Sequence, residues 1–199
     1  MQCRHYKGLL TLILCIPAVA FAMQKIQQHK TIDMGALYNL TGDQAPLGKA
    51  SLRGAEVAVA NINAKGGIKK HQLRLQLHNG KTDPKALRHE AKSFALQKKI
   101  QIVMGLSDNN MVMAAAPAIV KAKKIFISSG ATAPSLVLLM PQYLYLAAFG
   151  DNVQGAAGAE YAYNALHIKK AVLIYDKDME YTSTLASYFT AAFVRAGGT

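Results

Sequence analysis

Thiols are nearly absent from this chain: its two cysteines, Cys3 and Cys15, both fall near the start of the 199 residues. The rest has no disulfide to staple it and no thiolate to act as nucleophile or metal ligand, so it must be held by a packed core. Tryptophan is missing altogether, and acid is scarce, with 11 Asp and Glu against 23 Lys and Arg. The formal net charge is +12, falling to +10 without Arg4 and Lys7, the only full charges among the first 22 residues. So basic a balance raises nucleic acid or an anionic surface as partners. The lysines are nevertheless spread over many segments, with no basic stripe interleaved with aromatics that could stack bases, and the charge reads as a solvated surface with no nucleic-acid partner.

Recognised catalytic patterns are lacking too. Gly42 to Lys49 has five residues between Gly42 and Gly48 where a phosphate-cradling loop needs four, and Ala50 stands where a Mg-binding Ser or Thr is required. No GxGxxG follows a strand. His89-Glu90 opens like a zinc-protease helix, but Ser93 occupies the place of the second ligand. Phe126 and Ile127, not glycines, lie two residues before Ser128 and Ser129, so there is no nucleophile elbow. No catalytic residue, metal site or cofactor is expected.

What is present begins with a leader. Arg4 and Lys7 precede an apolar run from Gly8 to Phe21, too short for a comfortable membrane span, and Ala20-Phe21-Ala22 supplies small residues at a cleavage site. Residues 1–22 read as a secretory signal. Leu14 before Cys15 argues against a lipoprotein signal.

Beyond it, two periodicities alternate. Lys30 to Leu40, Leu73 to Leu77, the runs at Ile100–Met104 and Ile125–Ile127, Tyr143–Phe149 and Lys170–Tyr175 read as strands. Between them, helical spacing predicts helices with Leu52, Ala55, Val59 and Ile62 on one face, with Leu87, Ala91, Phe94 and Ala95 on another, and over Met111–Lys123, Asn152–His167 and Ser183–Ala196. Asp83 with Pro84 marks one helix start, and Gly66-Gly67 and Gly197-Gly198 mark helix stops. Strict alternation predicts an α/β fold with a mainly parallel sheet. Right-handed crossovers would then bring Ser107–Asn110 and Ser128–Thr132 to one sheet edge, where such sheets hold ligands. These are small hydrogen-bonding groups suited to gripping a carboxylate rather than breaking a bond.

Further markers carry a resemblance. They are Leu40 to Gly48 with Gly54 after it, Ala60-Asn61-Ile62-Asn63-Ala64-Lys65-Gly66-Gly67-Ile68, Asp83-Pro84, and Gly105 followed by Ala114-Ala115-Ala116-Pro117. Ser129-Gly130-Ala131-Thr132-Ala133-Pro134, Asp151 with Gln154-Gly155, and Ile174-Tyr175-Asp176 leading to Tyr181 follow in order. Over essentially the whole mature chain this resembles the Leu/Ile/Val-binding (type I) periplasmic substrate-binding proteins of amino-acid ABC transporters.

The resemblance implies two α/β lobes closing over an amino acid or similar small carboxylate, which a membrane permease then receives. It implies a carboxylate clamp at Asn109, Gly130 and Thr132, a pocket position at Leu47, and an aromatic closing from the second lobe at Tyr181. Asp108-Asn109 stands where relatives have Ser-Ser or Cys-Ser, and Asp108 would repel a ligand carboxylate unless turned away or paired. The expected organisation is a leader over 1–22, a first lobe over 23–150 and the opening of an incomplete second lobe over 151–199, in a periplasmic protein. A ligand-sensing regulatory module of the same fold, or a non-functional fragment, is the alternative.

Overall fold

The computed structural model describes residues 30–199, so the leader expected over 1–22 lies outside the described residues. Five strands, β1 (Thr31–Tyr38), β2 (Gln72–Asn79), β3 (Ile102–Gly105), β4 (Ile125–Ser128) and β5 (Leu144–Leu146), form one sheet in the order β2-β1-β3-β4-β5. Every pairing is parallel, with Thr31 opposite Gln72, Gly35 opposite Val103 and Gly105 opposite Ser128. The helices are α1 (Ala45–Ala64), α2 (Pro84–Leu96), α3 (Asn109–Lys121), α4 (Pro134–Leu139), α5 (Asp151–Glu160), extended by a π turn over Tyr161–Ala165, and α6 (Glu180–Arg195). None is long and apolar enough to cross a membrane among the described residues.

Strand alternation divides the sheet's two faces. Leu37, Val103, Phe126 and Leu144 join Leu87, Ala91 and Phe94 of α2 and Val112, Ala115 and Ile119 of α3 in the main core. Each large side chain there contributes about 1.5–3 kcal/mol by leaving water. The neighbouring β1 residues Ala36 and Tyr38 point the other way, onto Leu52 of α1. Asp83 caps α2 by accepting from the Ala86 N–H at 2.6 Å, with Pro84 in the first turn. Lys124, just before β4, is buried. Its ammonium donates to the Phe94 and Gln97 carbonyls at 2.7 and 2.6 Å, satisfying the end of α2, while burial lowers its pKa.

The structure departs from sequence expectation in four places. Helix α1 starts at Ala45, well ahead of Leu52 where the apolar face read from the sequence begins, because Pro46 is well placed in a first helical turn. A short helix, α4, forms after Pro134 and buries Leu136. His78, just past the alternating run Leu73–Leu77, is half-buried rather than solvated; its Nδ1 contacts the Glu90 carboxylate, and its ring lies 4.2 Å from that of Phe94. Finally, Lys170–Tyr175 does not form a strand. A strand is defined by a neighbour, and among the described residues this segment has one main-chain hydrogen bond, from Ala171 N–H to Thr199 O at 2.9 Å, with Thr199 N–H donating to Lys169 O just before it at 2.9 Å. Val172 and Ile174 are left 88% and 97% exposed.

Helices α5 and α6 make a small core of their own from Ala159, Ala192 and Phe193. They approach closely at Gly155, where a Cβ would lie 2.8 Å from the Phe189 nitrogen. Phe189 stacks on Phe193 at 5.5 Å, and Tyr163 meets Phe193 edge-on at 6.0 Å.

Candidate functional site

Parallel pairing carries the ends of β3 and β4 to one edge of the sheet, and their loops lock together there. Gly105 permits this: it holds φ +136°, and a Cβ would sit 1.8 Å from the Leu37 carbonyl oxygen. Ser128 Oγ donates to the Leu106 carbonyl at 3.0 Å and accepts from the Ala131 N–H at 3.0 Å. Ser129 Oγ donates to the same carbonyl and lies 3.2 Å from Ser107 Oγ. Both loop serines thus serve structure, and neither has a base beside it.

Asp108 is the N-cap of α3, accepting from the Met111 N–H at 3.0 Å. The carboxylate that would have repelled an anionic ligand is therefore paired with its own helix. Asn109, the first helical residue, is 4% exposed. Its Oδ1 accepts from the Thr132 and Ala133 N–H groups at 2.9 and 3.1 Å, tying the two loops together, while its Nδ2 is buried with no hydrogen-bond partner.

These residues border a cavity of about 700 Å³ that collects side chains from far apart in the chain. Asn109, Gly130, Thr132, Leu47 and Tyr181, the five positions singled out from the sequence, all line it. Leu47 arrives on the first turn of α1, which can lie against β1 only because residue 48 is glycine; a Cβ there would be 1.9 Å from the Asn39 oxygen. Tyr181 arrives on α6, its hydroxyl 3.4 Å from Gln154 Oε1.

The hydrogen-bonding pattern differs in detail from a simple main-chain clamp. The Thr132 N–H is taken by Asn109, and the Gly130 N–H is 3.3 Å from the Leu106 carbonyl. The donors left for a ligand are the Asn109 amide, the Thr132 hydroxyl and the first N–H groups of α3, which an isolated helix start leaves unsatisfied.

Sequence reasoning missed Phe149 and Met179, which extend the apolar wall beside Leu47 and Tyr181. Phe149 was read only as the end of a strand, yet it is 78% exposed.

Three helix starts near the cavity carry acids: Asp108 at α3, which lines it, Asp151 at α5 and Glu180 at α6. Asp151 is fully buried, its main-chain N–H held by the Thr132 carbonyl at 3.0 Å and both carboxylate oxygens without a hydrogen-bond partner. Burial raises the Glu180 pKa, the negative charges of Asp151 and Asp108 raise it further, and the nearby Asn109 amide works against them. The geometry between Glu180 and Asn109 still falls short of a hydrogen bond. No group of three or more His, Cys, Asp and Glu among the described residues is arranged to hold a metal ion.

A parallel α/β layer whose strand ends and helix starts enclose a cavity of polar floor and apolar wall defines a binding module. The chain belongs to the periplasmic binding protein family, whose model matches residues 31–199, and whose members bind rather than catalyse. The Leu/Ile/Val-binding protein of Escherichia coli K12 is 30% identical over 174 residues, covering 87% of this chain and 46% of the relative. The branched-chain amino acid transporter substrate-binding protein of Streptococcus pneumoniae, solved in complex with isoleucine, superposes with a TM-score of 0.75 at 30% identity, covering 82% of this chain and 47% of that one. A leucine-binding protein of Thermotoga maritima shares the fold, with a TM-score of 0.73 at 21% identity over 84% of this chain and 47% of its own. The chain thus spans about half the length of the relatives it matches.

Proposed function

We propose that the chain is the ligand-holding part of an exported solute-binding protein that takes an amino acid or similar small carboxylate and presents it to the membrane permease of an ABC transporter. The observation that carries this reading is the buried, unpartnered Asn109 Nδ2 on the floor of a cavity shared with Thr132, Leu47 and Tyr181. A buried amide donor without a partner is costly, and a ligand carboxylate would satisfy it with a charge-assisted bond. Leu47, Phe149 and Met179 would receive an aliphatic side chain, as suits ligands of the kind bound by the relatives named above.

The proposed organisation is a first lobe over 23–150 and the opening of a second over 151–199. The separate core of α5 and α6, and the unpaired Lys170–Tyr175, support a second layer of sheet beginning there. Export to the periplasm follows from the leader read over 1–22. Because these residues supply only part of a two-lobed grip, the chain alone is expected to bind weakly.

Calorimetric titration with leucine, isoleucine and valine, alongside isobutylamine as a ligand without a carboxylate, tests the reading. Weak saturable binding of the amino acids and none of the amine is expected. Equal binding of the amine would remove the carboxylate clamp from the reading. Micromolar affinity of the chain by itself would overturn the view that half the grip lies elsewhere.

A further inference from the structure

The edge of the sheet opposite the cavity carries a different chemistry. Parallel topology brings the starts of β1 to β4 to this rim together with the ends of α1, α2 and α3. Lysines that are scattered in sequence converge there: Lys69 and Lys70 before β2, Lys98 and Lys99 before β3, and Lys121 and Lys123 before β4. All six are exposed. Extending the observed register sets Lys99 opposite Thr31, in the row where Thr31 faces Gln72, so the three loops share one level of the sheet. Lys99 is also close enough to help lower the Asp33 pKa.

Among the described residues, the three loops hold no acid to neutralise this charge. Residues 65–71, 97–101 and 121–124 contain no Asp or Glu, and Asp33 inside β1 is already held by Arg74 at 2.7 and 2.9 Å. Helix ends favour a cation by a modest amount, but that accounts for one charge per end, not pairs. The Lys69–Lys70 pair is the more telling. It forms the tip of a tight turn closed by the Ile68–His71 bridge, with φ of +49° and +65°. Asn-Gly is the easy occupant of such a turn, and here two lysines stand in the left-handed conformation instead. Ile68 beside them is 45% exposed.

We infer that this rim is a docking surface for an anionic lipid bilayer. Six exposed lysines on one rim, with an aliphatic side chain at the tight turn, match a plane of phosphate headgroups over a hydrocarbon layer. The three loops contain no Phe, Tyr or Trp to stack nucleobases, which sets single-stranded nucleic acid aside. The inference rests on the topology and stands whether or not the cavity binds a carboxylate.

The test is sedimentation of the full chain with phosphatidylcholine vesicles and with vesicles that also contain phosphatidylglycerol. The leader carries Arg4 and Lys7 and has an anionic preference of its own, but it is the same in the parent chain and in the variants, so the readout is how far the variants lose that preference. Preference for the anionic vesicles is expected, lost as salt rises from ~0.1 to ~0.5 M, and weakened at least about tenfold in a variant carrying Lys69→Glu, Lys70→Glu, Lys98→Glu and Lys99→Glu. A second variant with Gln at the same four positions guards against misfolding by charge reversal, and circular dichroism checks both. Equal binding to the two vesicle types, or unchanged binding by both folded variants, would overturn the inference. So would duplex DNA displacing the chain from anionic vesicles at equal phosphate, which would reassign the rim to nucleic acid.

Discussion

Asn109 Oδ1 and the Thr132 main-chain nitrogen lie 2.9 Å apart, so two residues expected to share a ligand are first of all bonded to each other. Replacing Asn109 with Ala would strip the buried Thr132 and Ala133 N–H groups of their acceptor and cost about 2–4 kcal/mol. Asn109→Asp keeps that acceptor but loses the Nδ2 donor. The new carboxyl is buried close to Asp108, Asp151 and Glu180, so this variant should stay closer to parental stability than the Ala variant in urea denaturation at acid pH, where it is protonated, while calorimetry at neutral pH finds no binding of amino-acid carboxylates. Retention of binding by Asn109→Asp would remove the amide from the proposed grip.

Glu180 gives a pH signature. Its carboxyl pKa is raised in the fold above the ordinary 4.5, chiefly by burial and then by Asp151 and Asp108. Between the unfolded and the folded value the native state binds the extra proton, so this group's contribution to stability falls as pH rises through that window. Glu180→Gln should melt higher than the parent at neutral pH and show a flatter pH dependence just above 4.5. Thermal denaturation from pH 4 to 8 measures this, and identical curves would contradict the shift.

Lys124 tests how the bottom of the core is closed. Lys124→Met preserves the aliphatic stem but leaves the Phe94 and Gln97 carbonyls without their donor. A loss of about 2–4 kcal/mol with an unchanged denaturant slope is expected. A stabilised variant would mean that the buried charge costs more than its two bonds return.

Gly48 offers a reversal of sign. In an ordinary helix interior, Gly→Ala gains up to about 1 kcal/mol. Here the new methyl would meet the Asn39 carbonyl at 1.9 Å, pushing the first turn of α1 and Leu47 with it away from the sheet. Gly48→Ala is expected to lose about 1–3 kcal/mol by overpacking and to weaken ligand binding. Gly54→Ala, with nothing within 4 Å of its Cβ position, is the matched control and should be neutral or stabilising.

The strands and the common edge of the two site loops were legible because short apolar runs bounded by turn residues carry their own period, and handedness does the rest. What was illegible depended on three-dimensional partners. Lys170–Tyr175 has strand-like sequence, but pairing is not a local property. The lysines near Lys69, Lys98 and Lys121 look dispersed along the chain and become one surface only once the sheet is parallel. Asn109 was singled out as a ligand contact, yet its bonds to the next loop are invisible at a sequence separation of 23 residues. Phe149 and Met179 look like ordinary apolar residues until folding leaves them facing a cavity.

The position of β1 has a kinetic consequence. It lies inside the sheet, paired with β2 on one side and with β3 on the other, although β3 ends only at Gly105. A chain emerging from its N-terminus would complete the first seam once Asn79 appears and leave the opposite seam bare while the next 26 residues follow. At about 5–20 residues per second that interval is on the order of seconds, long compared with hairpin or helix formation. The second seam of β1 therefore waits for the arrival of β3, and a chaperone that shields β1 until then would cover the edge left bare in that interval.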